Sequence, residues 1–116
     1  MNAFSKSFNN YVCVGDTITA DANGITYTAK IVYDQESHIA MKINKGNYLW
    51  FYCGVVLSAS KSGIELTNDA ASLWRIEANY PGSDNSFLSE VANELLPEAI
   101  LAAEKALEYI KAKLSI

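Results

Sequence analysis

Chemistry-bearing side chains are sparse in this chain. His38 is its one histidine, Cys13 and Cys53 are its two cysteines, and Arg75 is its one arginine. A metal centre needs three or four His, Cys or carboxylate ligands brought together, and a hydrolytic triad needs a nucleophile, a base and an orienting acid. His38 stands in a predicted strand among apolar neighbours, with no cysteine or clustered acid beside it, and reads as a strand histidine. Each cysteine lies in an apolar, strand-like run without C-x-x-C spacing, so the pair reads as two buried thiols. A disulfide between them would need a Cα separation that sequence does not supply. No catalytic residue, metal or cofactor is expected, and the chain is read as a binder rather than an enzyme.

Three surfaces carry binding chemistry instead. At about 100° per residue, Glu90, Glu94, Glu98, Glu104 and Glu108 fall within an arc of about 120° on one predicted helix, opposite its apolar row. Lys105 and Lys111 offset the charge only near Glu108. Such a stripe suits a basic protein groove; an ordinary solvated helix face explains the same residues. The second surface is the aromatic set Tyr48, Trp50 and Tyr52, which shares one strand parity while Leu49, Phe51, Cys53, Val55 and Leu57 share the other. With one helix to cover two sheet faces, these aromatics must fold onto other strands, meet a second copy in a homodimer, or take a partner. The third is the loop 79–86. There Ser83, Asp84, Asn85 and Ser86 precede a helix N-terminus, a place that favours an anion or ligand carboxylate, and are equally the usual residues of a plain cap.

The elements that position these surfaces follow from periodicity. Residues 1–10 are polar and read as a loosely held terminus, with Phe4 and Phe8 as its anchors. A strand is predicted from about Tyr11 to Ala20, interrupted at Gly15-Asp16, and Asn23-Gly24 then suits a tight hairpin. Ile25 to Tyr33 alternates strictly, the pattern of a half-buried strand. A third strand covers about His38 to Ile43, and Asn44-Lys45-Gly46-Asn47 turns the chain. Tyr48 to Leu57 is apolar at both parities and reads as the central strand. After the turn at Lys61-Ser62-Gly63, a short strand covers Ile64 to Leu66 and Asn68-Asp69 turns again. A last strand over about 72–79 places Trp74, Ile76, Ala78 and Tyr80 on one face. From 84 to 115, the apolar row Leu88, Ala92, Leu95, Ala99, Ala103, Leu107, Ile110 and Leu114 predicts a helix that Pro97 kinks or splits.

The expectation is one α+β domain over 1–116: an antiparallel sheet of about five to six strands (11–80), followed by a long C-terminal helix packed on one face. At 116 residues there is no room for a second domain. Half the residues are hydrophobic and a fifth are charged, the composition of an ordered globular chain. The formal net charge is −4, which disfavours direct nucleic-acid binding, because phosphate recognition draws its affinity from a basic surface. The opening residues lack the apolar core of a secretory signal and no run is long enough to span a membrane, so a cytoplasmic location is expected.

Two stretches carry a resemblance. Trp50-Phe-Tyr-Cys-Gly-Val-Val-Leu-Ser58 and Gly63-Ile-Glu-Leu66 are followed by Ala71-Ser-Leu-Trp74, Ile76-Glu77, Asn79-Tyr-Pro-Gly-Ser-Asp-Asn-Ser86 and Glu90-Val-Ala-Asn-Glu-Leu-Leu96. Together they resemble a set of small proteins encoded by bacteriophages and mobile elements, over roughly the second half of the chain. That set has no assigned activity, and no catalytic residue comes with it. Its members carry a longer charged insert before the Trp50 strand, and usually glycine in the place of Arg75. The resemblance implies a phage setting, in which small acidic proteins often bind a host nuclease or an RNA-guided defence complex. The leading expectation is an inhibitor of the anti-CRISPR or wider anti-defence kind, occluding a basic site on a host defence protein. The alternatives are a small-molecule or nucleotide sensor and a homodimeric structural accessory.

Overall fold

The computed structural model describes residues 3–35, 41–43 and 49–114. Five strand segments precede one helix: β1 (Thr17–Ala22), β2 (Ile25–Tyr33), β3 (Met41–Ile43), β4 (Leu49–Lys61), β5 (Ile64–Ala78) and α1 (Ser86–Leu114). All strand pairings are antiparallel. Phe51 pairs with Met41 on one side and Ala78 on the other, and Cys53 likewise lies between Tyr33 and Ile76. A strand has only two edges, so β2 and β3 follow one another along the same edge of β4. The sheet is therefore four strands wide, β1, then β2 with β3, then β4, then β5, in an α+β arrangement. That is slightly narrower than the five to six strands expected.

The differences have local causes. The segment expected to begin the first strand instead turns at Cys13–Asp16. The Asp16 N–H donates to the Cys13 carbonyl at 3.0 Å, and the Cys13 N–H to Asp16 Oδ2 at 2.9 Å. Gly15, at φ 97°, takes the left-handed position. Pairing with Ile31 nevertheless starts at Gly15 and Asp16, before β1 proper. On the far side, the short strand at 64–66 and the last strand merge into one 15-residue β5. The expected turn at Asn68-Asp69 is a bulge inside it, where the register jumps between Leu57–Ala71 and Ala59–Thr67. The tight hairpins fall where the sequence signals them. Ala22 faces Ile25 across Asn23-Gly24, and Lys61 faces Ile64 across Ser62-Gly63, with positive φ at both residues of each pair. Tyr48, His38 and the expected turn at 44–47 lie outside the described residues.

The core sits between one sheet face and α1. Ile25, Tyr27, Ala29 and Ile31 of β2 and Phe51, Cys53, Val55, Leu57 and Ala59 of β4 point to it, and α1 meets them with Leu88, Val91, Ala92, Leu96, Ala99 and Ala103, all buried. α1 runs as one element through Pro97. Pro97 is exposed. There the backbone carbonyl left without a partner can take water, so the break costs least on that side. The polar N-terminus is pinned rather than loose. Phe4, Phe8 and Val12 are buried, the Phe4 N–H donates to Asn93 Oδ1 and the Phe8 N–H to Ser89 Oγ, both at 2.9 Å. The arm thus gains apolar burial and hydrogen bonds together, which offsets the entropy of fixing it.

Candidate functional site

Along α1 the five glutamates Glu90, Glu94, Glu98, Glu104 and Glu108 are all exposed. Because the helix is not split at Pro97, they form one continuous acidic face. Two large apolar side chains stand on the same arc, Phe87 at 55% and Leu101 at 61% exposure. Their places follow from the same 100° rule, since they lie about 60° and 20° from Glu90. Helical spacing alone would have placed them on this face beside the glutamates. Fourteen residues of helix set them about 21 Å apart. Burial first, and the Glu104 charge second, push the Tyr27 phenol above its ordinary range. Farther on, the Lys113 ammonium lies 5.4 Å from the Tyr109 ring centroid.

Trp50 and Tyr52 lie on the sheet face turned from α1 and are half-buried. Their rings meet edge to face at 5.7 Å and 71°, and Trp50 meets Tyr80 at 5.1 Å and 70°. Tyr80 belongs to the loop 79–86, so the structure joins two of the expected surfaces into one aromatic step. The same face holds Trp74, by an irregularity in β5. Cys53 pairs with Ile76 and Val55 with Leu73, so Trp74 and Arg75 together oppose the single residue Gly54. This bulge reverses the parity upstream of Arg75. Ile76 and Ala78 face the core as expected, while Trp74 swings to the outer face. A Cβ on Gly54 would collide with the Trp74 indole, so only glycine fits under it.

The loop itself is mostly internal scaffolding. Asn79 and Asn85 are 6% and 2% exposed. The Asn79 amide grips the Val12 backbone twice, accepting from its N–H and donating to its carbonyl, both at 2.8 Å. Asn85 Nδ2 donates to Asn79 Oδ1 at 2.9 Å and to the Asn10 carbonyl at 3.1 Å, and Asn85 Oδ1 accepts from the Asn79 N–H at 2.8 Å. Both residues sit at φ near 60°, a conformation asparagine tolerates better than most side chains. Of the expected anion loop, Ser83, Asp84 and Ser86 remain at the surface. The Ser86 N–H donates to Asp84 Oδ1 at 3.0 Å, and hydrogen bonds from the Ser86 backbone and hydroxyl hold the Asp84 carboxyl below its ordinary range. A carboxylate already answers the helix dipole there, which counts against a second anion.

Cys53 is fully buried, and desolvation, with a smaller contribution from the Asp34 charge, pushes its thiol up to about 12. It is unsuited to nucleophilic chemistry, which requires the thiolate. Cys13 is exposed rather than buried, because the turn at 13–16 lifts it from the sheet. Among the described residues no three His, Cys, Asp or Glu side chains gather as metal ligands, and no helix is long and apolar enough to cross a membrane. No protein-family model, curated protein or solved structure matches this chain.

Proposed function

We propose that this chain works by binding another protein, laying the acidic face of α1 on a basic surface of its partner. The observation that carries this reading is the unbroken helix with all five glutamates exposed and with Phe87 and Leu101 bared among them. Charge of one sign steers and orients an encounter, while a few desolvated apolar anchors supply most of the affinity. In the phage setting implied by the resemblance, the partner is a host defence protein such as a nuclease or a CRISPR effector subunit. The bound chain acts as an anti-defence inhibitor by covering a basic site. The half-exposed Trp50 and Tyr52 support a second contact, with a partner or with another copy in a homodimer.

The test is an affinity capture from bacterial lysate with this protein as bait, washed at low and then high salt, followed by identification of the eluted proteins. A defence protein released by salt, and no longer captured by the E90Q/E94Q/E98Q variant, supports the reading. Capture unaffected by salt and by those substitutions removes the acidic face from the mechanism.

A further inference from the structure

The bulge at Trp74-Arg75 opens onto a cleft of about 470 Å³, lined by Val32, Tyr33, Asp34, Gln35, Trp74 and Arg75. That volume lies within the range of small-molecule sites. We propose that this cleft binds a small planar anion, an aromatic or heteroaromatic ring bearing a carboxylate or phosphate, with Arg75 holding the anionic group and Trp74 flanking the ring.

Three observations converge on it. The first is backbone geometry: Arg75 sits at φ 61°, the left-handed region that costs an ordinary side chain about 1–2 kcal/mol. Strain of this kind persists where the surroundings enforce it. Here the enforcing contact is Asp34, 4% exposed, whose Oδ2 accepts the Arg75 N–H at 3.1 Å, while the Asp34 N–H is held by the Tyr52 carbonyl at 3.0 Å. The base of the Arg75 side chain is thereby fixed while the side chain itself stays exposed.

The second is unspent hydrogen-bonding capacity. Among the described residues, neither the Arg75 guanidinium nor the Trp74 indole N–H has a protein partner. A guanidinium offers five donors and no acceptor, and the indole adds one more. Both residues are exposed, so water takes these bonds in the free protein, and an acceptor-rich ligand at the cleft can replace that water, a planar fork matching a carboxylate or phosphate best. The third is the rigid platform. The Trp74 ring is pressed against Gly54, which has no side chain to hold it away, yet 42% of the residue remains exposed. Val32, which faces Gly54 across the ladder and so shares the outer face with Trp74, supplies an apolar wall for the ligand's ring.

Neither the cleft nor its residues belong to the acidic face, so this proposal stands or falls independently of the protein-binding reading. The test follows the Trp74 indole N–H by NMR while the full chain is titrated to millimolar concentration with adenosine monophosphate, with benzoate, with adenosine and with inorganic phosphate. Saturable shifts with the monophosphate, with benzoate or with both support the proposal, and which of them binds tighter tells a phosphate ligand from a carboxylate one. In R75G the bulge keeps a residue suited to positive φ and keeps the N–H to Asp34, so the fold is retained. Binding should weaken by roughly tenfold or more, the usual effect of losing a charged hydrogen bond. R75K, which keeps the charge and loses the fork, should fall between. No saturable shift with either anion, equal binding of adenosine, or undiminished binding by folded R75G would overturn the proposal.

Discussion

Asn79 and Asn85 complete each other's hydrogen bonding, the Asn79 N–H donating to Asn85 Oδ1 and the Asn85 amide donating back to Asn79 Oδ1. Through this pair the end of β5, the start of α1 and the N-terminal arm meet in one buried polar knot. Replacing Asn79 with alanine leaves the Val12 N–H and carbonyl without their partners, removes one of the two acceptors of Asn85 Nδ2, and puts alanine at φ 60°. Unsatisfied buried groups and the strained backbone together should cost about 2–4 kcal/mol. Urea unfolding of N79A beside the parent checks this, and a loss under about 1 kcal/mol would mean the knot carries little stability.

Gly54 and Trp74 form the second tight relationship. In G54A the new methyl must displace the indole, lowering stability by about 1–3 kcal/mol and moving Trp74 into a wetter setting. A red-shifted tryptophan emission accompanying the lower unfolding midpoint is the expected outcome; an unchanged spectrum would contradict the close approach.

Arg75 provides a test with the opposite sign. Glycine adopts φ 61° without the steric cost that arginine bears, although it loses more chain entropy on folding. R75G should therefore be as stable as the parent or more stable by up to about 1 kcal/mol, read from its unfolding midpoint. A clear loss of stability would show that the arginine side chain holds the fold together.

The glutamate row has its own energetic signature. Glu90, Glu94 and Glu98 stand four residues apart and repel, so the triple glutamine variant should gain about 0.5–1 kcal/mol in helix stability at low salt. The gain should shrink as salt screens the charges, which thermal unfolding at two ionic strengths would reveal. A partner that binds the parent in a salt-sensitive way should bind this more stable variant less well, separating recognition from folding.

Cys53 sets an alkaline limit. Its folded-state value of about 12 lies above the ordinary 9.0, so the folded protein holds the proton more tightly than the unfolded chain. Stability is complete below about 9 and falls as pH rises from there toward 12. Tyr27, also shifted upward, adds loss in the same direction once its unfolded phenol ionises. Unfolding midpoints measured across that range should decline. A thiol reagent at neutral pH should label Cys13 at once and Cys53 only after unfolding.

The parts legible in the sequence are those governed by local rules. Asn23-Gly24 and Ser62-Gly63 announce their hairpins, the strict alternation of β2 announces its buried face, and the apolar row of α1 predicts its contact with the sheet as far as Ala103, beyond which Leu107 and Ile110 are only partly covered and Leu114 is exposed. Less legible were features decided by register between distant segments. No local signal reveals that Trp74 and Arg75 share one partner residue, so parity placed Trp74 on the same face as Ile76. The N-terminal arm is legible in part: Phe4 and Phe8 are buried as the anchors expected, while the looseness its polar composition suggests is overturned by hydrogen-bond partners, Asn93, Ser89 and Asn79, that lie 67 to 89 residues away. Of the expected sites, the acidic face follows directly from helical spacing, while the cleft beside Arg75 exists only because of the bulge.

The pinned arm also orders the events of folding. Each hairpin can form from neighbouring residues, but Phe4 reaches Asn93, 89 positions further on, only when the chain between them is already arranged. On a ribosome the arm must therefore wait until α1 has been made. Until α1 has left the exit tunnel, Phe4, Phe8 and the inner sheet face stay bare together. That interval is when a chain with this topology is most open to capture by a chaperone or to pairing with another unfinished copy.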